Sequence, residues 1–444
     1  MKCETKTMSA ILLAVGSMAS TQCMAQNMAV QSAAPLQGLD REIEVVRPKM
    51  VGWRRDIHSH PELSGNEVRT AKLVADHLRS LGLEVTSDVG GHGVVGLLRG
   101  GRPGKVVALR ADMDGLPVKE ATGLPFASTA TAQYRGEPAS VMHACGHDGH
   151  TAMLMAVAEV LAHMKARIPG TVKFIFQPAE EGVPDGKIVG ARAMIAQGVM
   201  DRPKVDAVFG LHIMPVLPTG TIGYRSGPLM ASADMFEIRV QGTGTHGALP
   251  WKGVDPIVTS AELVVDLQTI VSRQLNISKE PAVISVGSIH GGNRENIIPE
   301  SVKMLGTLRT FDDGMREDAK RRIQTMTESI ATAHGAKGTV DFVQPGYGVT
   351  VNDPALTERM LPTLRWATAG KVVVSDKVSA SEDFSEYQKA APGVFVLLGA
   401  PPKGKTPQTA ALNHSPLFDF DEDAMPVGVR TLSSLALDYL ASAK

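Results

Sequence analysis

The stretch His143-Ala144-Cys145-Gly146-His147-Asp148-Gly149-His150 sets a thiol and an imidazole on either side of a glycine, where the chain can turn sharply. That pattern suits a metal ion better than an apolar core. Cysteine usage sharpens the reading. The chain has three cysteines, and Cys3 and Cys23 fall in what reads as a removable leader, so Cys145 has no partner for an internal disulfide. Taken alone, Cys145 is an inert buried residue, a metal ligand or a nucleophile. Downstream, Met153, Leu154, Val157, Val160, Leu161 and Met164 lie on one broad apolar face of a helix. That helix would begin beside His147 and Asp148, so its N-terminal dipole would favour the thiolate form of Cys145. The methionines read as packing.

Residues 1–25 read as a secretory signal. Lys2 and Lys6 precede an apolar run from about Met8 to Ala19, and cleavage after Cys23-Met24-Ala25 satisfies the small-x-small rule. The run is well short of the roughly 20 residues needed to span a bilayer. A periplasmic or secreted protein is expected, with no membrane association once the signal is removed. The formal charge of −1, with no basic run and no aromatic-interleaved basic patch, argues against a nucleic-acid partner. A chain of 444 residues exceeds what one core usually serves, so two domains are expected.

From about Leu36 to Tyr224, helical periodicity alternates with short apolar runs, the pattern of an α/β domain whose central mixed sheet is flanked by helices. Val68 to Leu81 reads as a helix stopped by Gly82. Val106–Leu109, Val172–Phe176 and Val205–Phe209 read as buried strands, ending at Asp112 and Asp114, at Glu180-Glu181 and at His212. Open α/β sheets place ligand sites just past such strand ends. Near Ser226-Gly227-Pro228 the pattern changes: alternating Met235, Phe236, Ile238 and Val240 start an inserted α+β unit of four strands and two helices, assigned to 228–344. The first domain, 36–227, resumes over 345–444, with Val394–Leu398 as a late core strand.

The ordered set Cys145, His147, Glu180, Glu181, His212 and His414 resembles the M20 metallopeptidase and amidohydrolase family, in its branch of hippurate hydrolases and plant indole-acetyl-amino-acid hydrolases. The stretches that carry the resemblance are Arg54–Leu63, Arg110–Pro117, His143–Asp148, Gln177–Glu181, Gly210–His212, Asn296–Pro299, Ser381–Phe384 and Asn413–Pro416. They run in family order along nearly the whole mature chain. The resemblance implies a centre of two divalent ions, zinc or manganese with cobalt or nickel as further options, held by Cys145, His147, Glu181, His212 and His414. Glu180 would be the general base. Adjacent glutamates in an extended segment point apart, so a bend, expected at Pro178, is needed to bring both to one site. Asp112 and Asp114 read as supports that orient a ligand, or simply as a capped turn after a strand.

In the same family the inserted domain is a lid and a dimerisation surface. A homodimer is thus implied, with His246 of Gly244-Thr245-His246-Gly247 as an oxyanion stabiliser acting on the neighbouring subunit. Asn296 and Arg309 match positions that hold a substrate carboxylate, a task suited to the arginine fork, although Arg309 could instead pair with a nearby acid. Trp251 stands where many relatives carry a histidine. His58 and His60 read as loop or packing residues. The expected reaction is metal-dependent hydrolysis of an N-acyl amino acid to a carboxylic acid and a free amino acid. The rivals are a dipeptidase or carboxypeptidase using the same site, an inactive metal-binding or ligand-binding protein, and a cysteine hydrolase.

Overall fold

Apolar runs separated by helices build an eight-stranded mixed sheet in the order Glu84–Val89, Gly93–Arg99, Pro169–Gln177, Arg102–Asp112, Ala207–Met214, Gly393–Gly399, Ile222–Tyr224 and Val372–Val374. The computed structural model describes residues 36–184 and 186–442; the signal expected over 1–25 lies outside the described residues. The four central strands, Pro169–Gln177 to Gly393–Gly399 in this order, run parallel. They are covered on both faces, which is why Val394–Leu398 reads as an unbroken apolar run rather than an alternation. One face packs beneath the helices Leu39–Ser59, His147–His163 and Met425–Ala441, and the other beneath Gly190–Ala196 and Phe384–Ala390.

Residues 233–347 form a second, antiparallel sheet in the order Ala282–Gly291, Ser301–Thr310, Ala233–Gln241 and Lys337–Tyr347. Phe236, Ile238 and Val240 face a core under the helices Pro256–Thr269 and Asp313–Ala333, while Met235, Glu237 and Arg239 alternate to the other face. Each helix starts at an aspartate that caps it. Asp255 accepts from Ile257 N, and Asp312 accepts from Met315 N.

Two details depart from the sequence reading. The helix His147–His163 has no exposed face up to Leu161, because Leu39–Ser59, Met425–Ala441 and the sheet enclose it. The strand expected to stop at Phe209 continues to Met214, so His212 projects from within a strand rather than past its end.

His58 is more than packing. The buried Arg54 donates from Nε to Asp148 Oδ2 at 3.0 Å, reaches Asp419 and Glu422, and lies between the rings of Phe126 and Phe420. His58 bridges Asp148 Oδ2, 2.9 Å from its Nδ1, and Glu120 Oε1, 3.2 Å from its Nε2. Together they bolt the first turn of His147–His163 to the N-terminal helix. Burial disfavours the charged imidazole, but Asp148 and Glu120 outweigh it and raise His58 to about 9. A pKa raised above the unfolded value stabilises the fold fully below pH about 6.5, and that contribution is lost as pH climbs through 9. The stability gap between wild type and His58→Gln, measured by urea unfolding, should therefore shrink by about 2–3 kcal/mol between pH 6 and pH 9.5.

Candidate metal centre

The carboxyl ends of the central strands bring the polar residues together. Gly146, at φ 92°, makes the sharp turn that leaves Cys145 at the mouth of the helix and starts the helix at His147. Asp112 ends one strand and Asp114 follows it, Glu180 and Glu181 follow the next, and His212 comes from within the third. His414 arrives from a distant loop. Its backbone sits at φ 69°, and its N–H donates to Ala144 O at 2.7 Å, which fixes the loop against the Cys145 turn.

These residues form two donor groups that share one sulfur: Cys145, His147 and His212, and Cys145, Glu181 and His414, with the ligand atoms of each group within 4.8 Å of one another. Cys145 Sγ lies 3.4 Å from His212 Nε2, and Glu181 Oε1 lies 2.9 Å from His414 Nε2. Both buried ligand imidazoles are held by the far nitrogen. His147 Nδ1 donates to Asp114, 2.9 Å from the main-chain O and 3.2 Å from Oδ1, and His212 Nδ1 donates to Ile213 O at 2.8 Å. This leaves Nε2 of both rings as the inward lone pair, the tautomer that metal-ligating histidines adopt. Buried His147 Nε2 has no hydrogen-bond partner among the described residues. Such atoms are costly unless something else satisfies them, and a cation held by this donor set would do so.

The electrostatics agree. Asp112, Asp114, Glu180, Glu382 and Asp383 are all buried at this end of the sheet. Arg110 offsets part of the charge, donating to Asp112 at 2.6 Å and Asp383 at 2.8 Å and lying 3.0 Å from Glu382. Burial first, then the Glu382, Glu181 and Asp383 carboxylates, pushes Glu180 well above the ordinary carboxylate range. His414 is raised to about 10 by its hydrogen bonds to Cys145 and Glu181, which shows how strongly this spot favours positive charge. The residues present fit a divalent-metal centre.

A further grouping, Asp112, His147 and His150, is not a ligand set. His150 Nδ1 is bound to Asp112 Oδ1 at 2.6 Å, and its Nε2 accepts from Ile213 N at 2.8 Å, so both nitrogens are engaged. Asp112 thereby aligns the strand that bears His212, and Asp114 aligns His147.

The bend expected at Pro178 is made by Ala179, a non-glycine residue at φ 53°. Such a conformation carries strain and persists only when its surroundings hold it. Glu67 does so: its Oε1 accepts from Gly65 N at 2.7 Å and from Ala179 N at 2.8 Å, while its buried Oε2 has no partner among the described residues. Burial, then Asp114, raises this carboxyl to about 8. Gly182 N closes the turn on Ala179 O at 3.3 Å, with Glu180 and Glu181 at its tip.

Sequence reasoning gave no role to Glu67, Arg110, Gln177, Glu382 or Asp383. The usable signal was Arg110 itself, a guanidinium inside the apolar run 106–111, which demands buried carboxylates.

His246, Asn296 and Arg309 are not brought to the cluster. His246 is exposed and accepts at Nδ1 from Ala248 N, and it shares with Asn296 an open groove of about 820 Å³ on the inserted unit. Arg309 is half-buried, and its Nη1 has no hydrogen-bond partner among the described residues. The acid across the sheet, Asp234, is taken by Arg316 at 2.6 Å and Lys320 at 2.8 Å.

Residues 108–438 match the family described as Peptidase family M20/M25/M40, and the chain belongs to it. It is a metal-dependent hydrolase acting on amide bonds. The chain is 40% identical to "Thermostable carboxypeptidase 2" of Saccharolobus solfataricus over 91% of its own length and 98% of that protein. It is 37% identical to "N-acetylcysteine deacetylase" of Bacillus subtilis over 89% of its length and 98% of that protein. A solved Bacillus subtilis structure, titled a dinuclear metal binding peptidase from the M20 family, superposes with a TM-score of 0.73 at 34% identity, covering 89% of this chain and 99% of that one.

Replacing Glu67 by alanine strands the Gly65 and Ala179 amides, which should cost about 1–3 kcal/mol of stability in urea unfolding. Glu67→Gln keeps an acceptor oxygen and should lose markedly less.

Proposed function

We propose that the protein hydrolyses the amide bond of N-acyl amino acids of the hippurate type, releasing a carboxylic acid and a free amino acid. The observation that carries this reading is the pair of donor groups meeting at Cys145, with the buried Glu180 carboxyl beside them. One divalent ion would be held by Cys145, His147 and His212, and a second by Cys145, Glu181 and His414. Sulfur and imidazole donors favour zinc, and the carboxylate leaves manganese, cobalt or nickel open. Bound there, the ions would supply Lewis acidity toward water and the amide carbonyl. Glu180 takes the proton of the attacking water on its carboxylate and returns it to the departing nitrogen.

Arg309, whose Nη1 has no hydrogen-bond partner among the described residues, supports a substrate that carries a free carboxylate, while Asn296 lies apart from it in the His246 groove. An N-acyl amino acid and the C-terminus of a peptide both meet that condition. The deacetylase name of one relative favours the first, and the carboxypeptidase name of another keeps a dipeptidase or carboxypeptidase as the second reading. The exposed Ile257, Val258 and Val265 on Pro256–Thr269, next to the edge strand Ala282–Gly291, support a homodimer through the inserted unit. In that dimer His246 would serve the partner's site as an oxyanion donor. Periplasmic or secreted placement rests on residues 1–25 alone.

Assaying hippurate and N-acetyl amino acids against unblocked dipeptides separates the two substrate readings; preference for the dipeptides would reject the first. Glu180→Gln should lower kcat by at least about 10²–10⁴-fold while elemental analysis still finds the metals in place. Elemental analysis should find two divalent ions per wild-type chain. Cys145→Ala should lose both, whereas His212→Ala should lose one, because only Cys145 belongs to both groups.

A further inference from the structure

The chain crosses between its two units twice, and the crossings run side by side. Gly227–Met230 pairs with Thr350–Asn352 against the main sheet, and a few residues further out Ala233 pairs with Tyr347 on the last rung of the inserted sheet. Tyr347 therefore belongs to the inserted unit by its backbone. Its side chain does not: the phenol reaches into the catalytic unit and donates to the main-chain carbonyl of Glu180. The neighbouring Gly346 carbonyl accepts from Arg192, which also pairs with Glu386 at 2.9 Å, so the crossing itself is anchored to the catalytic unit.

The carbonyl that Tyr347 holds is not an ordinary one. Glu180 and Glu181 occupy the two central positions of the turn closed by Gly182 N on Ala179 O. The peptide between them is the one whose direction distinguishes turn types I and II. Here it is gripped at both ends. Tyr347 takes the Glu180 carbonyl, and Asp114 Oδ2 accepts from Glu181 N at 3.0 Å. One grip comes from the inserted unit and the other from the carboxylate that also orients His147.

We propose that Tyr347 is a positioning residue contributed by the inserted unit: its hydroxyl fixes the plane of the Glu180–Glu181 peptide and so aims the Glu180 carboxylate. The proposal rests on reading Glu180 as the general base. Asp114 anchors the Glu181 side of the same peptide, so losing the phenol should disturb Glu180 far more than the ligand Glu181.

The test compares metal-loaded wild type with Tyr347→Phe, which keeps the ring and removes only the hydroxyl. The expected result is a kcat at least tenfold lower with KM within twofold, unchanged metal content and a melting temperature that falls only slightly. Hydrogen exchange at the 180–182 amides should be at least tenfold faster, with the main-sheet strands unaffected. Unaltered exchange at those amides overturns the proposal, as does unaltered kcat. Loss of metal in parallel with activity also overturns it, since Tyr347 would then serve the ligand rather than the base. Should wild type turn over neither N-acyl amino acids nor dipeptides, the substrate reading fails on its own, and the exchange measurement still decides whether Tyr347 holds the turn.

Discussion

The constraint on which the rest of the structure depends is negative charge taken out of water at one end of a parallel sheet. Buried Asp112, Asp114, Glu180, Glu382 and Asp383 each carry a desolvation penalty of several kcal/mol when ionised, and Arg110 offsets only part of it. The Arg110 donors are engaged with Asp112, Gln177, Glu382 and Asp383, so Arg110 acts on Glu180 only through space. The remaining compensation must come from protons or from cations. The upward shifts of Glu180, of Glu382 to about 8 and of Asp383 to about 6 are the signature of the first, and the two donor groups meeting at Cys145 provide for the second.

Around that constraint the supporting contacts divide into two layers. The inner layer fixes tautomers: Asp114 on His147 and the Ile213 carbonyl on His212 each bind the outer nitrogen and turn the inner one toward the donor groups. The outer layer fixes the elements that carry those residues. Arg54 and His58 hold Asp148 and with it the first turn of the site helix, His150 holds the Ile213 amide, and Asn413 donates to the carbonyls of Cys145 and Ile213. Apart from the half-buried Asn413 these polar side chains are buried, so removing one partner leaves another unsatisfied. Displacements are thereby resisted by the whole network rather than by single bonds.

What was legible in the sequence was local. The Cys145-Gly146-His147 turn shows itself because a glycine at positive φ is needed there, and the inserted sheet shows itself because Phe236, Ile238 and Val240 alternate with Met235, Glu237 and Arg239. The set Cys145, His147, Glu180, Glu181, His212 and His414 could be named from its motifs. What escaped depends on contacts between residues far apart in the chain. Glu67 lies in a polar Gly-Asn-Glu loop that looks solvated, yet it folds under Ala179, 112 residues later. His58 shows no sign of its bond to Asp148, 90 residues away. An alanine gives no hint that it will occupy the left-handed region. The helix after Cys145 has one broad apolar face by its periodicity, but Leu39–Ser59 and Met425–Ala441 enclose its other sides.

A single sulfur common to both donor groups has a consequence for how the site must be built. A shared ligand ties the two groups to one position, so freedom in any of the contributing loops would separate them. The loops are correspondingly fixed by backbone rather than by side chains alone: Gly146 in the left-handed region, Ala179 held there by Glu67, and His414 held there by the Ala144 carbonyl. Two of these three are not glycine, which makes the strain a property of the assembled fold and not of the local sequence. The same reasoning explains why the ligands come from strand ends and a helix mouth, where the sheet sets spacing, and why the one ligand from a long loop, His414, has its main-chain N–H tied directly to the residue before Cys145.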